Sequence, residues 1–514
     1  MLRNSIMYKK GGYIMRTSGV LMPIFSLPGK YGIGCLSKEA YNFVDYLKKA
    51  DQTYWQILPV GPTSYGDSPY QSFSTFAGNP YFISLEELID RGLLTAKECD
   101  AADLGDDETD IDYGKLYKNR YPLLRKAYER SKASRDKHFR KFIKDNASWI
   151  KDYCRYMAIK DSYGGKSYQE WDEPLRVHNK KAIRKFGREH RDDVLFYAWL
   201  QYEFFSQWRR FKKYANKKGI RIIGDIPIYV APDSADTWAN PELFQFDADR
   251  RPVRVAGCPP DGFSATGQLW GNPLYNWDYH KKTGYKWWIK RIEACLSMYD
   301  VIRIDHFRGF DEYYSIDAEA DTAIDGYWVK GPGAKLFKRV EKKLGHIDII
   351  AEDLGYMTDT VKKMVADTGY PNMKVLEFAF DARDQKDDSS GPNDYLPLSY
   401  GKNCVVYTGT HDNETLCGFL GSITKAEKKQ IRDYLGANSK ASDETLVHGL
   451  IRAAMASTAD WCIIPLQDYL TLDNSARINT PSTIGSNWRW RVKKEQLTSG
   501  VCKEMKQLTN TYWR

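Results

Sequence analysis

Nothing in the sequence has the length and composition of a membrane span. Its apolar runs are broken by charge well short of the roughly twenty residues a bilayer helix needs. The opening stretch, MLRNSIMYKKGGYIM, has basic residues but no apolar stretch resembling a signal peptide. Paired cysteines are missing too. The nine thiols (Cys35, Cys99, Cys154, Cys258, Cys295, Cys404, Cys417, Cys462 and Cys502) form no CxxC pair. Their odd number and wide spacing fit neither a zinc site nor a disulfide framework. Free thiols in a reducing cytoplasm are the expectation, and the chain is read as cytoplasmic. No glycine-rich phosphate loop follows the first strand-like run, and no DxDxDG-type calcium loop occurs. No metal and no other cofactor is expected.

What is abundant is aromatic. Phe, Trp and Tyr make up 14% of the 514 residues, with 15 Trp and 36 Tyr. That excess calls for a large core or a surface that stacks on flat partners. Hydrophobic residues at 42% and charged residues at 28% are ordinary for a globular chain. The formal charge of +9 is uneven, because residues 115–191 alone hold 23 Lys/Arg against 9 Asp/Glu. There the basic residues interleave with aromatics at helical spacing, as in Tyr153-Cys154-Arg155-Tyr156, and no nucleic-acid module is recognisable. A solvated helical surface is expected, with neither nucleic acid nor membrane as partner.

Strand-like runs fall at 18–27 and 54–60. An amphipathic helix lies between them, with Ala40, Phe43, Val44 and Leu47 on one face. A long polar loop follows at 61–80, GPTSYGDSPYQSFSTFAGNP, of the length that is usually functional. From about 85 to 218 the composition turns helical, which reads as a mostly helical insertion ending in a long aromatic helix near 194–218. Strands then return at 219–230, 299–307, 347–354, 374–380, 404–410 and 461–470, most of them alternating with helices. Eight strands in this rhythm predict a parallel sheet closed into a (β/α)8 barrel. A doubly wound open sheet is the alternative. Residues 15–514 are expected to form a single catalytic domain, with 1–14 as an N-terminal extension.

The chain is organised around Val301 to Phe310, VIRIDHFRGF. Arg303 and Asp305 stand two residues apart, so in a strand they share a face. Asp225, Asp305, Glu352 and Asp412 are each expected at the end of a strand, the end where such barrels carry their sites. Buried carboxylates are costly unless paired or used. A cation site is disfavoured by the company of Arg303, His306 and His411. Glycoside chemistry fits better, with one carboxylate attacking the anomeric carbon and one carboxylic acid protonating the leaving oxygen. Arg303 would keep Asp305 ionised, and Glu352 in a less polar place would have a raised pKa.

Seven ordered segments carry a resemblance. They are SPYQSFSTFAGNP from Ser68, GDIPIYV from Gly224, GCPPDGFSATGQLWGNPLYNW from Gly257, RIDHFRGF from Arg303, AEDLG from Ala351, TGTHDN from Thr408 and NTPSTIGSNWRWR from Asn479. From about Arg16 to the C-terminus the sequence resembles the 4-α-glucanotransferases called amylomaltases or disproportionating enzymes, of the α-amylase clan. The resemblance implies Asp305 as nucleophile, Glu352 as general acid/base and Asp412 as transition-state stabiliser. It places Asp225, Arg303, His306 and His411 around the central sugar. It implies glucan contacts for Tyr70, Asp261, Gln268 and Trp270. It also implies a retaining transfer between α-1,4-glucans or maltooligosaccharides, with glucose among the acceptors, and no separate C-terminal β-sandwich. Gly262, Ala265 and Ser482 depart from the family pattern in loops expected to border the groove. A hydrolase with the same acids, and a silent glycan-binding barrel, are the competing readings.

Overall fold

The computed structural model describes residues 9–10, 13–14, 16–64, 66–260, 264–355, 357–381 and 393–514. Asp261, Gly262 and most of the expected N-terminal extension lie outside that set. Eight parallel strands close into a barrel. They are β1 (Thr17–Leu21), β2 (Tyr54–Gln56), β3 (Arg221–Pro227), β4 (Val301–Asp305), β5 (Ile349–Ala351), β6 (Asn372–Val375), β7 (Cys404–Tyr407) and β8 (Trp461–Pro465). Each pairs in parallel with its sequence neighbour, and β8 closes on β1 through pairs from Trp461↔Thr17 to Pro465↔Leu21. The expectation of a closed (β/α)8 barrel holds, and the open sheet does not.

Strand parity explains the packing. Leu21, Tyr54, Ile223, Val301, Ile350, Met373, Val405, Tyr407 and Ile463 form one buried cluster with a member from every strand. This is the filled barrel interior. The alternate residues, among them Val20, Trp55, Ile222, Ile302, Ile304, Val406 and Ile464, join the larger cluster under the helices. Ile223 therefore shares its face with Asp225, and Val301 shares its face with Arg303 and Asp305. Polar side chains continue the interior column upward to the mouth.

The strands are shorter than the sequence predicts, and the difference has a cause. Several strand-like runs end in short helices, such as Ile24–Ser26 after β1, Leu376–Ala379 after β6 and Leu466–Tyr469 after β8. Apolar residues of these turns join the larger buried cluster under the helices, so hydrophobicity continues where pairing has stopped. Asp225 does not end its strand as expected. The ladder runs on to Pro227, which pairs with Asp305. Asp412 lies further out than expected, five residues beyond the end of β7 in a loop.

Between β2 and β3 the chain carries helices from Leu85–Asp90 to Arg191–Lys217. The last of these is tied to the 61–80 loop. The Gln201 side chain accepts from the Gly78 N–H at 2.8 Å and donates to the Gly78 carbonyl at 2.9 Å. A Cβ on Gly78 would come within 2.0 Å of the Phe204 ring, which is fully buried. Gly78→Ala is therefore expected to destabilise by about 1–3 kcal/mol through overpacking. A lower urea midpoint would show it, and an unchanged midpoint would mean that the Phe204 ring yields freely.

One element was not foreseen. A four-stranded antiparallel sheet runs in the order Tyr327–Lys330, Glu312–Asp317, Arg254–Cys258 and Gln268–Pro273. Two of its strands precede β4 and two follow it, so no local hairpin signal announces the whole sheet. Among the described residues no helix is long and apolar enough to cross a membrane.

Candidate active site

The centre of the barrel mouth is an ion cluster. Arg303 and Asp225 are directly paired in the β3–β4 ladder. Both side chains point inward, and Arg303 Nη1 donates to Asp225 Oδ2 at 2.6 Å. Arg303 Nη2 lies 3.0 Å from Asp305 Oδ1. One guanidinium thus bridges two carboxylates, as the i, i+2 spacing predicts for Asp305. Its Nε faces the Met373 sulfur at 3.3 Å. Asp225 is 0% exposed, and Tyr70 Oη donates to the same Oδ2 at 2.8 Å. The other oxygen, Oδ1, has no partner among the described residues. A buried acceptor in that state is costly unless a ligand donates to it.

Glu352 follows β5 directly and is buried. Its Oε2 accepts from the His306 N–H at 2.6 Å and its Oε1 from the Leu354 N–H at 2.7 Å. His306 has the left-handed backbone, φ 53°, which turns its N–H toward Glu352. That conformation is uncommon for a residue with a Cβ and recurs at functional sites. Burial lifts the carboxyls of Asp305 and Glu352 above the ordinary range, and Arg303 opposes the rise in both. The two N–H donors also oppose it at Glu352. Burial pushes the His306 imidazole down to about 3 and lowers that of His411, so both rings are neutral at pH 7.

Asp412 reaches the same mouth from the loop after β7. Its Oδ1 accepts from Asn479 Nδ2 at 2.6 Å, and its carbonyl accepts from Arg477 Nη2 at 2.7 Å. His411 Nε2 is 3.3 Å from Asp412 Oδ2. The His411 ring stacks on Tyr70 with centroids 5.2 Å apart at 14°. Trp488 closes on both rings, at 5.8 Å from Tyr70 and 6.0 Å from His411. On the other side Trp270 meets the His306 ring edge-on at 4.8 Å, and its Nε1 donates to Gln268 at 3.0 Å. Gln268 and Trp270 stand on the unforeseen antiparallel sheet, which thereby flanks the mouth. Ala265 and Ser482 are both exposed.

Of the eleven residues singled out from the sequence, ten are placed by the structure in this connected mouth. The eleventh, Asp261, lies outside the described residues. Other residues were missed. Arg477 and Asn479 hold Asp412, and Asn479 opens one of the seven matching segments. Asp236 accepts from the Thr75 N–H at 2.8 Å and fastens the loop that carries Tyr70. Asp468, just after β8, carries the same signal that found the other acids, a carboxylate beyond a strand end. No group of three His, Cys, Asp or Glu among the described residues is arranged to hold a metal ion.

The comparisons agree with this geometry. The family model described as 4-alpha-glucanotransferase matches residues 22–498. The chain is 48% identical over 495 residues to the 4-alpha-glucanotransferase of Clostridium butyricum, covering 96% of this chain and 100% of that one. It is 43% identical over 491 residues to that of Thermus thermophilus, covering 94% and 96%. Among solved structures, the amylomaltase from Streptococcus agalactiae in complex with acarbose matches with a TM-score of 0.92 at 40% identity, covering 97% of this chain and 99% of that one. With a matched family model over most of its length, and an arginine-bridged set of acids at the mouth of its barrel, the chain belongs to the 4-alpha-glucanotransferase family and is an enzyme of that kind.

Proposed function

We propose that the enzyme moves α-1,4-glucan segments between maltooligosaccharides by a retaining double displacement. Asp305 attacks the anomeric carbon, and the bond from that carbon to the leaving oxygen breaks. Glu352 gives its proton to that oxygen. In the second step Glu352 takes a proton from the 4-hydroxyl of the acceptor, glucose included. The acceptor oxygen then bonds to the anomeric carbon as the ester to Asp305 breaks. Asp412 and the free Oδ1 of Asp225 hold hydroxyls of the sugar as it flattens.

The observation that carries this reading is the double contact of Arg303 with Asp225 and Asp305. Both carboxyls are raised by burial against the pull of Arg303, and one proton between Asp305 and Glu352 is what the first step needs. The mechanism assigns the anion to Asp305, which the guanidinium at 3.0 Å favours, and the proton to Glu352. The rings of Tyr70, Trp270, His306 and His411 line the mouth and offer faces for sugar C–H groups to pack on in place of water. That favours a sugar over water as acceptor. Tyr70, Gln268, Trp270 and Asp261 are proposed as glucan contacts, and the cytoplasm as the site of action.

Incubation with maltotriose alone tests the proposal. The expected result is a ladder of longer maltooligosaccharides plus glucose, with reducing ends constant. Shorter sugars only, with reducing ends rising, would make the enzyme a hydrolase and overturn the proposed transfer.

A further inference from the structure

One buried carboxylate near the mouth has no part in the mechanism above. Asp468 is 1% exposed and sits in the short helix Leu466–Tyr469 that leaves β8. It accepts two hydrogen bonds. Thr408 Oγ1 donates to Oδ2 at 2.5 Å, and the Leu416 N–H donates to Oδ1 at 2.8 Å. Thr408 is the first residue after β7, and Leu416 is the first of the helix Leu416–Ser422. The two donors are therefore the two ends of the loop that carries His411 and Asp412. We propose that Asp468 is a positioning residue for the transfer reaction, a clamp across the base of this loop that holds Asp412 at the sugar site.

Within the loop the fastening is local, and its further ties are to Glu377, Asn474 and Asn479. Asn413 Oδ1 accepts from the Thr410 N–H at 2.9 Å and from its hydroxyl at 2.8 Å. These bonds shape the tip without fixing it to the barrel. Arg477 and Asn479 hold Asp412 from the groove side. Asp468 holds the base from the core side, and all three residues come from the chain after β8. The space beneath the loop is tight. A Cβ on Gly409 would come within 2.8 Å of Glu377 Oε1, a buried oxygen with no partner among the described residues. An apolar side chain at 468 would fill its volume without the several kcal/mol that a buried anion costs. The carboxylate has two oxygens to offer, and both are spent on the loop ends. Burial pushes its carboxyl up to about 6, while the Thr408 and Leu416 donors oppose the rise. At neutral pH it is an anion, the better acceptor for both.

The inference rests on the proposed role of Asp412, and the test separates the two. Thr408→Val keeps the shape of the side chain and removes one donor. Asp468→Asn keeps the shape and leaves one acceptor oxygen for two donors. Each is made in the wild type and in the Asp412→Asn background, with folding checked by circular dichroism. Initial rates of maltotriose disproportionation give kcat and KM. Misplacing a charge at the reacting centre costs rate rather than binding. The expected result is kcat lower by roughly ten- to a hundredfold in the wild type, with KM within about twofold. In the Asp412→Asn background the same changes are expected to alter kcat by less than about twofold, because the clamp acts through the removed carboxylate. An equal loss in both backgrounds, or none in the wild type, would overturn the clamp. Near-wild-type kcat in Asp412→Asn itself would take down the reading of Asp412, and the clamp with it.

Discussion

Asp305→Asn lowers glucan transfer on the order of 10⁴-fold, while the folded protein still binds maltooligosaccharides. The argument is chemical first. An amide of the same shape cannot form the glycosyl ester, so the double displacement has no first step. The fold has little reason to suffer. Asp305 is the last residue of β4 and only partly buried, and among the described residues its ion pair is with Arg303 at 3.0 Å. Arg303 keeps its shorter contact with Asp225, so the guanidinium is not left alone in the interior. Binding persists because Tyr70, Trp270, His411 and Asp225 are untouched. The measurements are kcat for maltotriose disproportionation, circular dichroism, and maltooligosaccharide affinity by calorimetry. A folded variant that disproportionates at near-wild-type rate would mean that another group attacks the sugar.

The sequence revealed most of the architecture and the acids as a group. Strand alternation gave the barrel, because parity and apolar runs are local properties. The i, i+2 pair Arg303/Asp305 gave the centre of the site for the same reason. Carboxylates just beyond apolar runs gave Asp225, Glu352 and Asp412, though not their depth. Asp225 lies inside its strand and is wholly buried, a fact set by the ladder to Pro227 that only the paired structure shows. What stayed hidden depends on distant pairing. The antiparallel sheet that presents Gln268 and Trp270 is assembled from strands on both sides of β4, so no window contains it. The hold of Asn479 and Arg477 on Asp412 spans 67 and 65 residues. Asp468 reaches back 60 residues to Thr408. These contacts are made by closing the barrel, and no spacing rule encodes them.

Glu352→Gln is the second change with a large effect, and its pattern matters more than its size. Transfer from maltotriose is expected to fall roughly a thousandfold, since general acid catalysis supplies about 10²–10⁴. Transfer from a maltosyl fluoride to a glucan acceptor is expected to suffer far less in its first step, because fluoride leaves without a proton. The pH profile follows from the pair. Burial raises both carboxyls above the usual range, against the pull of Arg303. Asp305 must be ionised to attack, so activity is lost as pH falls through the lower of the two shared pKa values. Glu352 must be protonated to donate, so activity is lost as pH rises through the higher one. Both limbs then lie above the ordinary carboxylate range near pH 4. In Glu352→Gln with the fluoride donor the alkaline limb is expected to vanish. The acid limb of Asp305 remains, moved down because the neighbouring carboxylate charge is gone. An alkaline limb that survives the substitution unchanged would place the donated proton elsewhere, and the His306 N–H at Glu352 would then be a structural tie rather than part of a poised acid.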